Sequence, residues 1–271
     1  MTNSQGRLSR NLMSLASKGI RKLSLGARLY AYKALSLVGH TNFVRFFVLT
    51  RSRTGSNLLL SYLDGHPNVF AEGEIFARLK GADPLVRLKS SFGRQPRRIK
   101  AKGFKIFYYH PLDAPADSLW NELTALQDIR VIHLTRENVL RTLLSRKIAG
   151  MKDAWTGTRF DPVGTETKQV ELTVEELEEG FRQTREWEEA AAHRFRAHPI
   201  LHVTYEELVG SPRKTFRRVL GFLDLEYCEP RTNLQQQHPE RMRDLIRNFD
   251  ELKKAFAASP WQKYFDDPPN A

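Results

Sequence analysis

The chain has 271 residues, 41% hydrophobic and 27% charged, which is enough to build a full core and excludes a chain disordered throughout. No apolar run approaches the roughly 20 residues that span a bilayer, and the single cysteine, Cys228, excludes an internal disulfide and a cysteine-built zinc site. Lys plus Arg number 43 against 31 Asp plus Glu, a net charge of +12 that favours anionic partners without choosing among nucleic acid, acidic lipid and phosphorylated or sulfated small molecules.

Residues 1–24 are polar and basic and read as a poorly ordered arm. Leu25 to Val38 has helical spacing, and Lys33 splits what would otherwise be the best signal-peptide core. With the lone cysteine, this points to a cytoplasmic protein. Asn42 to Thr50 reads as a strand buried on both faces near its end, Arg51 to Gly55 as a break, and Ser56 to Asp64 as a helix stopped by Gly65. From Pro84 to Lys105 there is no acidic residue, but there are Arg87, Lys89, Arg94, Arg97, Arg98, Lys100, Lys102 and Lys105. That stretch is either a solvated loop or a surface for anionic membrane. Gly103 to Tyr109 is a second strand, Asp117 to Gln127 a helix, Arg130 to Thr135 a third strand and Glu137 to Ala149 a helix. Val174 to Phe195 is a long amphipathic helix, Ile200 to Thr204 a fourth strand, Pro212 to Leu223 a helix and 240–257 a last helix. Such alternation predicts an α/β protein with a parallel sheet and helices on both faces, as one domain over 25–271, the frame that the resemblance given below makes P-loop-like.

The segment Thr50-Arg51-Ser52-Arg53-Thr54-Gly55-Ser56-Asn57 joins a buried strand to a helix. The free N–H groups and dipole of a helix start attract an anion. Gly55 lets the backbone approach, Thr54, Ser56 and Asn57 offer hydrogen bonds, and Arg53 offers fixed charge. The sequence is not a Walker A loop, because Ser56 stands where that motif has lysine. A helix merely capped by Ser56 is the alternative.

RSRTGSNLL resembles the 5′-phosphosulfate loop of sulfotransferases in its bacterial carbohydrate form. His66-Pro67-Asn68-Val69 with Glu72-Gly73-Glu74-Ile75-Phe76 is similar to the segment that follows it in that family. Leu134-Thr135-Arg136-Glu137-Asn138 through Ser145 resembles the 3′-phosphate segment in its nodulation-type form, whose enzymes sulfate a lipo-oligosaccharide. Val203-Thr204-Tyr205-Glu206-Glu207-Leu208 with Pro212 and Phe222-Leu223 resembles a stretch common to the superfamily.

The resemblance implies the sulfotransferase fold and 3′-phosphoadenosine 5′-phosphosulfate (PAPS) as co-substrate, with no metal. The reaction it implies is sulfuryl transfer to a hydroxyl of a glycan or glycolipid acceptor, without nucleic acid; the basic 84–105 stretch and the basic arm would make a peripheral contact with the anionic membrane where such a glycolipid resides. It places Arg53, Thr54, Gly55, Ser56 and Asn57 on the 5′-phosphosulfate, Arg136 and Ser145 on the 3′-phosphate, and Glu74 as general base. The interval from Arg136 to Ser145 is one residue longer than the common form, so Arg141 is a rival. Glu72 competes with Glu74, since on an extended segment both would face one side. Lys105 sits in an apolar strand; it either neutralises the bridging oxygen or faces solvent on an edge strand. Arg51 reads equally well as structural. His66 suits a loop cap, Tyr205 and Glu206 look structural, and Tyr108 and His110 are candidate acceptor-site groups. Trp120, Trp187 and Trp261 read as core, while Trp155 lies in a loop-like stretch and could stack on a sugar or adenine. Two other readings stand beside this one: a P-loop small-molecule kinase, and a non-enzymatic basic protein that binds membrane or nucleic acid.

Overall fold

A computed structural model of the chain describes residues 38–151, 169–234 and 240–266. The basic arm, almost all of the first expected helix and Trp155 lie outside the described residues. Five strands, β1 (Val44–Thr50), β2 (Val69–Glu72), β3 (Ala101–Phe107), β4 (Ile129–Thr135) and β5 (Ile200–Thr204), form one sheet in the order β2-β3-β1-β4-β5. Every neighbouring pair is parallel. Strands covered on both faces read as continuous rather than alternating, and VRFFVLT and AKGFKIF do so.

The crossovers supply the covering helices. Helices α1 (Ser56–Asp64), α2 (Pro84–Ser91), α3 (Asp117–Ala125), α4 (Val139–Met151), α5 (Val174–Arg194), α6 (Tyr205–Gly210), α7 (Pro212–Phe222), α8 (Met242–Leu245) and α9 (Phe249–Ala255) follow in chain order. One sheet face carries Phe46, Val48, Ile132 and Leu134 against Leu59 and Leu63 of α1 and Phe216 and Val219 of α7. The other carries Phe47, Leu49, Phe104 and Ile106 against Leu88 of α2, Leu119 of α3 and Phe195. A third apolar cluster joins α4, the start of α5, α8, α9 and the 3₁₀ turn Gln262–Phe265. No helix among the described residues is long and apolar enough to cross a membrane.

Three elements go beyond the sequence reading. β2 is four residues long, α2 lies inside the basic stretch, and α6 starts directly after β5. The helix expected from Glu137 begins at Val139, where the Asn138 side chain accepts from Arg141 N at 3.0 Å. The single helix expected over 240–257 is two. Ile246 turns extended and bridges Val170, while the Asn248 amide exchanges hydrogen bonds with Leu172 backbone groups. Those side-by-side bonds need a straight segment, so the helix breaks there.

Candidate active site

The first crossover leaves β1 toward one side of the sheet, and β4 lies on the other, so a crevice opens at the carboxyl ends of these neighbouring strands. The loop 51–55 fills its floor. Arg53 and Gly55 both hold left-handed backbone, with φ of 70° and 82°. A non-glycine residue is uncommon there, and successive turns of this kind aim N–H groups into one concavity. Gly55 is required twice over, by its own φ and because a Cβ would run into the Tyr205 ring. The Thr54 hydroxyl is not aimed outward. It donates to Arg51 O at 2.9 Å and lies 2.6 Å from the Thr50 hydroxyl, which donates to Leu134 O across to β4. The Thr54 side chain is thus spent within the loop, and Thr50 ties that loop to β4. Ser56 is buried at the start of α1.

The two carboxylates of the second segment part company. β2 ends at Glu72, and the chain then turns, with Ile75 N donating to Gly73 O. Glu72 pairs with Lys102 and accepts from the Ser91 hydroxyl of α2 at 2.7 Å. Glu74 pairs with Lys105, at 2.9 Å from Nζ to Oε1. Lys102 and Lys105 are three apart on β3 and leave opposite faces of the sheet. The expectation that both glutamates face one side is thus corrected, because the extended segment stops at the first of them. Lys105 is also not on an edge strand. β3 lies between β2 and β1, and the residue is 4% exposed. Its Nζ donates to Asn57 Oδ1 at 2.5 Å, which ties the Glu74 segment to the start of α1. Burying this ammonium is tolerable only with such partners.

His110 stands behind Glu74, with Nε2 4.0 Å from Oε2. Its Nδ1 accepts from Phe107 N at 3.2 Å, so the neutral ring carries its proton on Nε2. Burial, with help from the Lys105 charge, pushes its pKa down to about 4 against the pull of Glu74. A neutral imidazole with its proton on Nε2 has no lone pair to offer toward Glu74. The Glu74 side chain is 35% exposed and reachable, while His110 is 1% exposed.

The Arg136 guanidinium donates from Nη1 to Arg53 O at 3.2 Å and lies 4.3 Å from the centre of the Tyr205 ring. Its buried Nε has no hydrogen-bond partner among the described residues. Arg53 Nε donates to Ser145 Oγ at 2.8 Å, so the loop arginine and the α4 serine meet across the crevice. Burial lowers the pKa of both arginines. Arg141, the rival, reaches Glu240 O at 3.0 Å instead. The start of α4 is closed by the protein itself: Asn138 caps Arg141, and Glu206 accepts from Glu137 N at 3.0 Å. An anion here is left to the side chains of Arg136, Ser145 and Arg53.

Several other side chains border the crevice or brace it. Arg51 is 2% exposed, donates to Thr184 of α5, and faces the Trp187 ring at 5.6 Å. Burial and Arg146 lower its pKa to about 10, still charged at neutral pH. Tyr108 OH lies 2.8 Å from His133 Nε2. Trp187, expected in the core, is only half-buried and borders this crevice beside Tyr109. Its position on α5 carries no motif that could mark it. His66 holds its loop through Asn68 N and Glu226 O. Trp120 is core, and its indole donates to His110 O at 2.9 Å. No group of three or more His, Cys, Asp or Glu among the described residues has the geometry to hold a metal ion.

Comparison with known proteins adds family context. Residues 123–229, from within α3 to beyond α7, match the Sulfotransferase family. The chain is 29% identical over 240 residues to Nodulation protein H of Rhizobium tropici, covering 82% of this chain and 92% of that protein. It is 27% identical over 237 residues to Nodulation protein H of Rhizobium meliloti strain 1021, covering 82% and 94%. Among solved structures it is similar to a sulfotransferase from Alicyclobacillus acidocaldarius, at 19% identity and a TM-score of 0.44, over 79% of this chain and 91% of that one.

Proposed function

We infer that this chain, a member of the sulfotransferase superfamily resembling the nodulation type, moves a sulfuryl group from PAPS to a hydroxyl of a glycan or glycolipid. The observation that carries the reading is the convergence at the carboxyl end of the sheet of two half-buried cations and one reachable carboxylate. Arg53 and Arg136 face each other with Ser145 between α4 and the loop, and Glu74 sits on Lys105.

The residues fit the donor's charge. The Arg53–Gly55 turn, with Ser56 and Asn57 at the start of α1, holds the 5′-phosphosulfate, and Arg136 with Ser145 holds the 3′-phosphate. The orphaned Nε of Arg136 is a buried donor awaiting an acceptor. When bound, PAPS supplies the sulfuryl group and a phosphate leaving oxygen. Glu74 takes the proton of the acceptor hydroxyl as its oxygen bonds to sulfur. The bond from sulfur to the bridging oxygen breaks, and Lys105 stands as the cation for the charge that gathers there. Preorganised charge of this kind often contributes more to catalysis than any other effect, and a positioned base adds roughly 10²–10⁴ in rate.

The acceptor class rests on the nodulation-type likeness, which a membrane-borne glycolipid would suit. Val86 on α2 is 64% exposed near the exposed Lys89, an apolar tip beside a cation of the sort that rests on an anionic surface. The reading places the enzyme in the cytoplasm, at the inner face of the membrane. The test is transfer of ³⁵S from labelled PAPS to a panel of oligosaccharides and extracted lipids, with PAP as the expected co-product. Label found on a saccharide-bearing product supports the reading. Label on no hydroxyl compound, with ATP consumed instead, contradicts it.

A further inference from the structure

We propose that Tyr109 and Trp187 form a ledge that seats one ring of a saccharide acceptor beside Glu74. The proposal rests on the glycan reading above and deepens it.

The ledge lies beside the base, joined to it through the buried His110 ring. Glu74 Oε2 lies 4.0 Å from His110 Nε2, the His110 and Tyr109 rings are 5.5 Å apart and perpendicular, and the Tyr109 and Trp187 rings are 5.3 Å apart. Both ends are fixed from below. Tyr109 packs on Phe107 at 5.6 Å, and Trp187 is backed by Tyr108 at 6.1 Å and by the buried guanidinium of Arg51 at 5.6 Å. Arg51 in turn is anchored to Thr184, one turn earlier on the same helix. A cation this deep holds the indole in place.

The ledge differs from a core contact in its exposure. Phe107 and Trp120 are buried, whereas Tyr109 and Trp187 are only partly buried. Tyrosine and tryptophan usually hydrogen-bond their polar tips when buried. Neither the Tyr109 hydroxyl nor the Trp187 indole N–H hydrogen-bonds another described residue, and neither is among the buried groups without a partner, so both tips reach solvent. A pyranose matches this surface. Its C–H face lies on an aromatic ring, and its rim hydroxyls take bonds from an O–H and an N–H. The same rim then points a hydroxyl at Glu74.

The experiment uses the full chain with PAP bound and a panel of chitotetraose, cellotetraose, maltotetraose and trehalose, taking the sugar that accepts most label from PAPS. Calorimetry and steady-state kinetics are run on wild type, Trp187→Ala, Trp187→Phe and Tyr109→Leu. The ledge predicts that Trp187→Ala and Tyr109→Leu raise the acceptor Kd and KM by about tenfold. PAP affinity and kcat should stay near wild type, and Trp187→Phe should recover most of the loss. A merely structural role would shift PAP affinity and kcat as well. Should Trp187→Ala fail to fold, Tyr109→Leu and Trp187→Phe still decide. Unchanged sugar affinity in the folded variants overturns the ledge alone. A wild-type chain that labels only non-saccharide hydroxyls overturns the glycan reading, and the ledge with it.

Discussion

Lys102 and Lys105 leave opposite faces of β3 and draw Glu72 and Glu74 apart, so two carboxylates one residue removed from being neighbours take different work. Glu72, held by Lys102 and Ser91 under α2, belongs to the frame. Glu74, held by Lys105 and reachable from the crevice, is the base of the proposed reaction. Gln is isosteric with Glu but accepts no proton. Glu74→Gln should therefore lower turnover by roughly 10²-fold or more with PAP affinity unchanged. Glu72→Gln leaves Lys102, itself 2% exposed, without its counter-charge. It should cost about 1–3 kcal/mol of stability, since Glu72 is partly screened by solvent, with far less effect on turnover. Steady-state kinetics and urea unfolding on both variants check this, and the reverse pattern would move the base to Glu72. The sequence shows both carboxylates but cannot separate them. That separation depends on where β2 stops, and a four-residue strand leaves no periodicity to read. Arg53, Arg136 and Ser145 lie inside motifs and can be found from them. Trp187 sits on a helix face that looks like any amphipathic face.

At the scale of elements, the loop between β1 and α1 is shaped by what lies over it. Gly55 carries the left-handed turn and clears the Tyr205 ring at the start of α6, the same ring that supports Arg136. Gly55→Ala should both strain the turn and displace Tyr205, weakening PAP binding at least tenfold while costing about 1–3 kcal/mol of stability. Gly103, in mid-β3, faces a different constraint, because a Cβ would run into the Phe46 carbonyl of β1. Gly103→Ala should be the more destabilising of the two, since the sheet's central pair must part. Thermal unfolding with and without PAP separates them; equal losses of PAP affinity per unit of lost stability would deny the loop its special role. The elements legible in the sequence have strong boundaries. The run Phe46–Thr50 meets a break at Arg51, Gly65 stops α1, and β5 occupies the residues that its apolar run predicts. The start of α6 also carries a signal in the sequence: Thr204 and Glu207 form a reciprocal cap, the Thr-x-x-Glu pattern of a helix start. Asp83 before Pro84 likewise caps α2, inside a stretch whose dense positive charge masks its helix spacing. The split of the last helix is beyond local reading, since it depends on Val170 and Leu172, more than seventy residues away.

At the scale of the whole molecule, burial keeps two of the described histidines, His110 and His133, neutral. Burial holds His110 down to about 4 despite Glu74, and burial with neighbouring His202 holds His133 at about 4. The unfolded chain binds those protons near 6.5, so between about pH 6.5 and 4 it takes up more protons than the folded one. The stability they lend is complete above 6.5 and is lost as pH falls toward 4, at up to about 1.4 kcal/mol per pH unit for each histidine. His133→Gln, whose amide can still pair with the Tyr108 hydroxyl, should flatten that slope in urea unfolding followed against pH. A profile parallel to wild type would contradict it.

The same fold sets two arginines and a serine of three separate elements around one crevice, on the side of the sheet where β1 and β4 end. Such a crevice should select a nucleotide bearing a 3′-phosphate, and the assignment of the whole site depends on that selection. Calorimetric titration of the wild-type chain with PAP and AMP tests it most directly, because the two ligands differ only in that group. Charged hydrogen bonds of about 1.5–3 kcal/mol each predict that PAP binds roughly 10- to 100-fold tighter for each one kept. Arg136→Ala should erase most of the difference and Ser145→Ala a smaller share. Equal affinity for PAP and AMP in the unmodified protein would contradict the assignment.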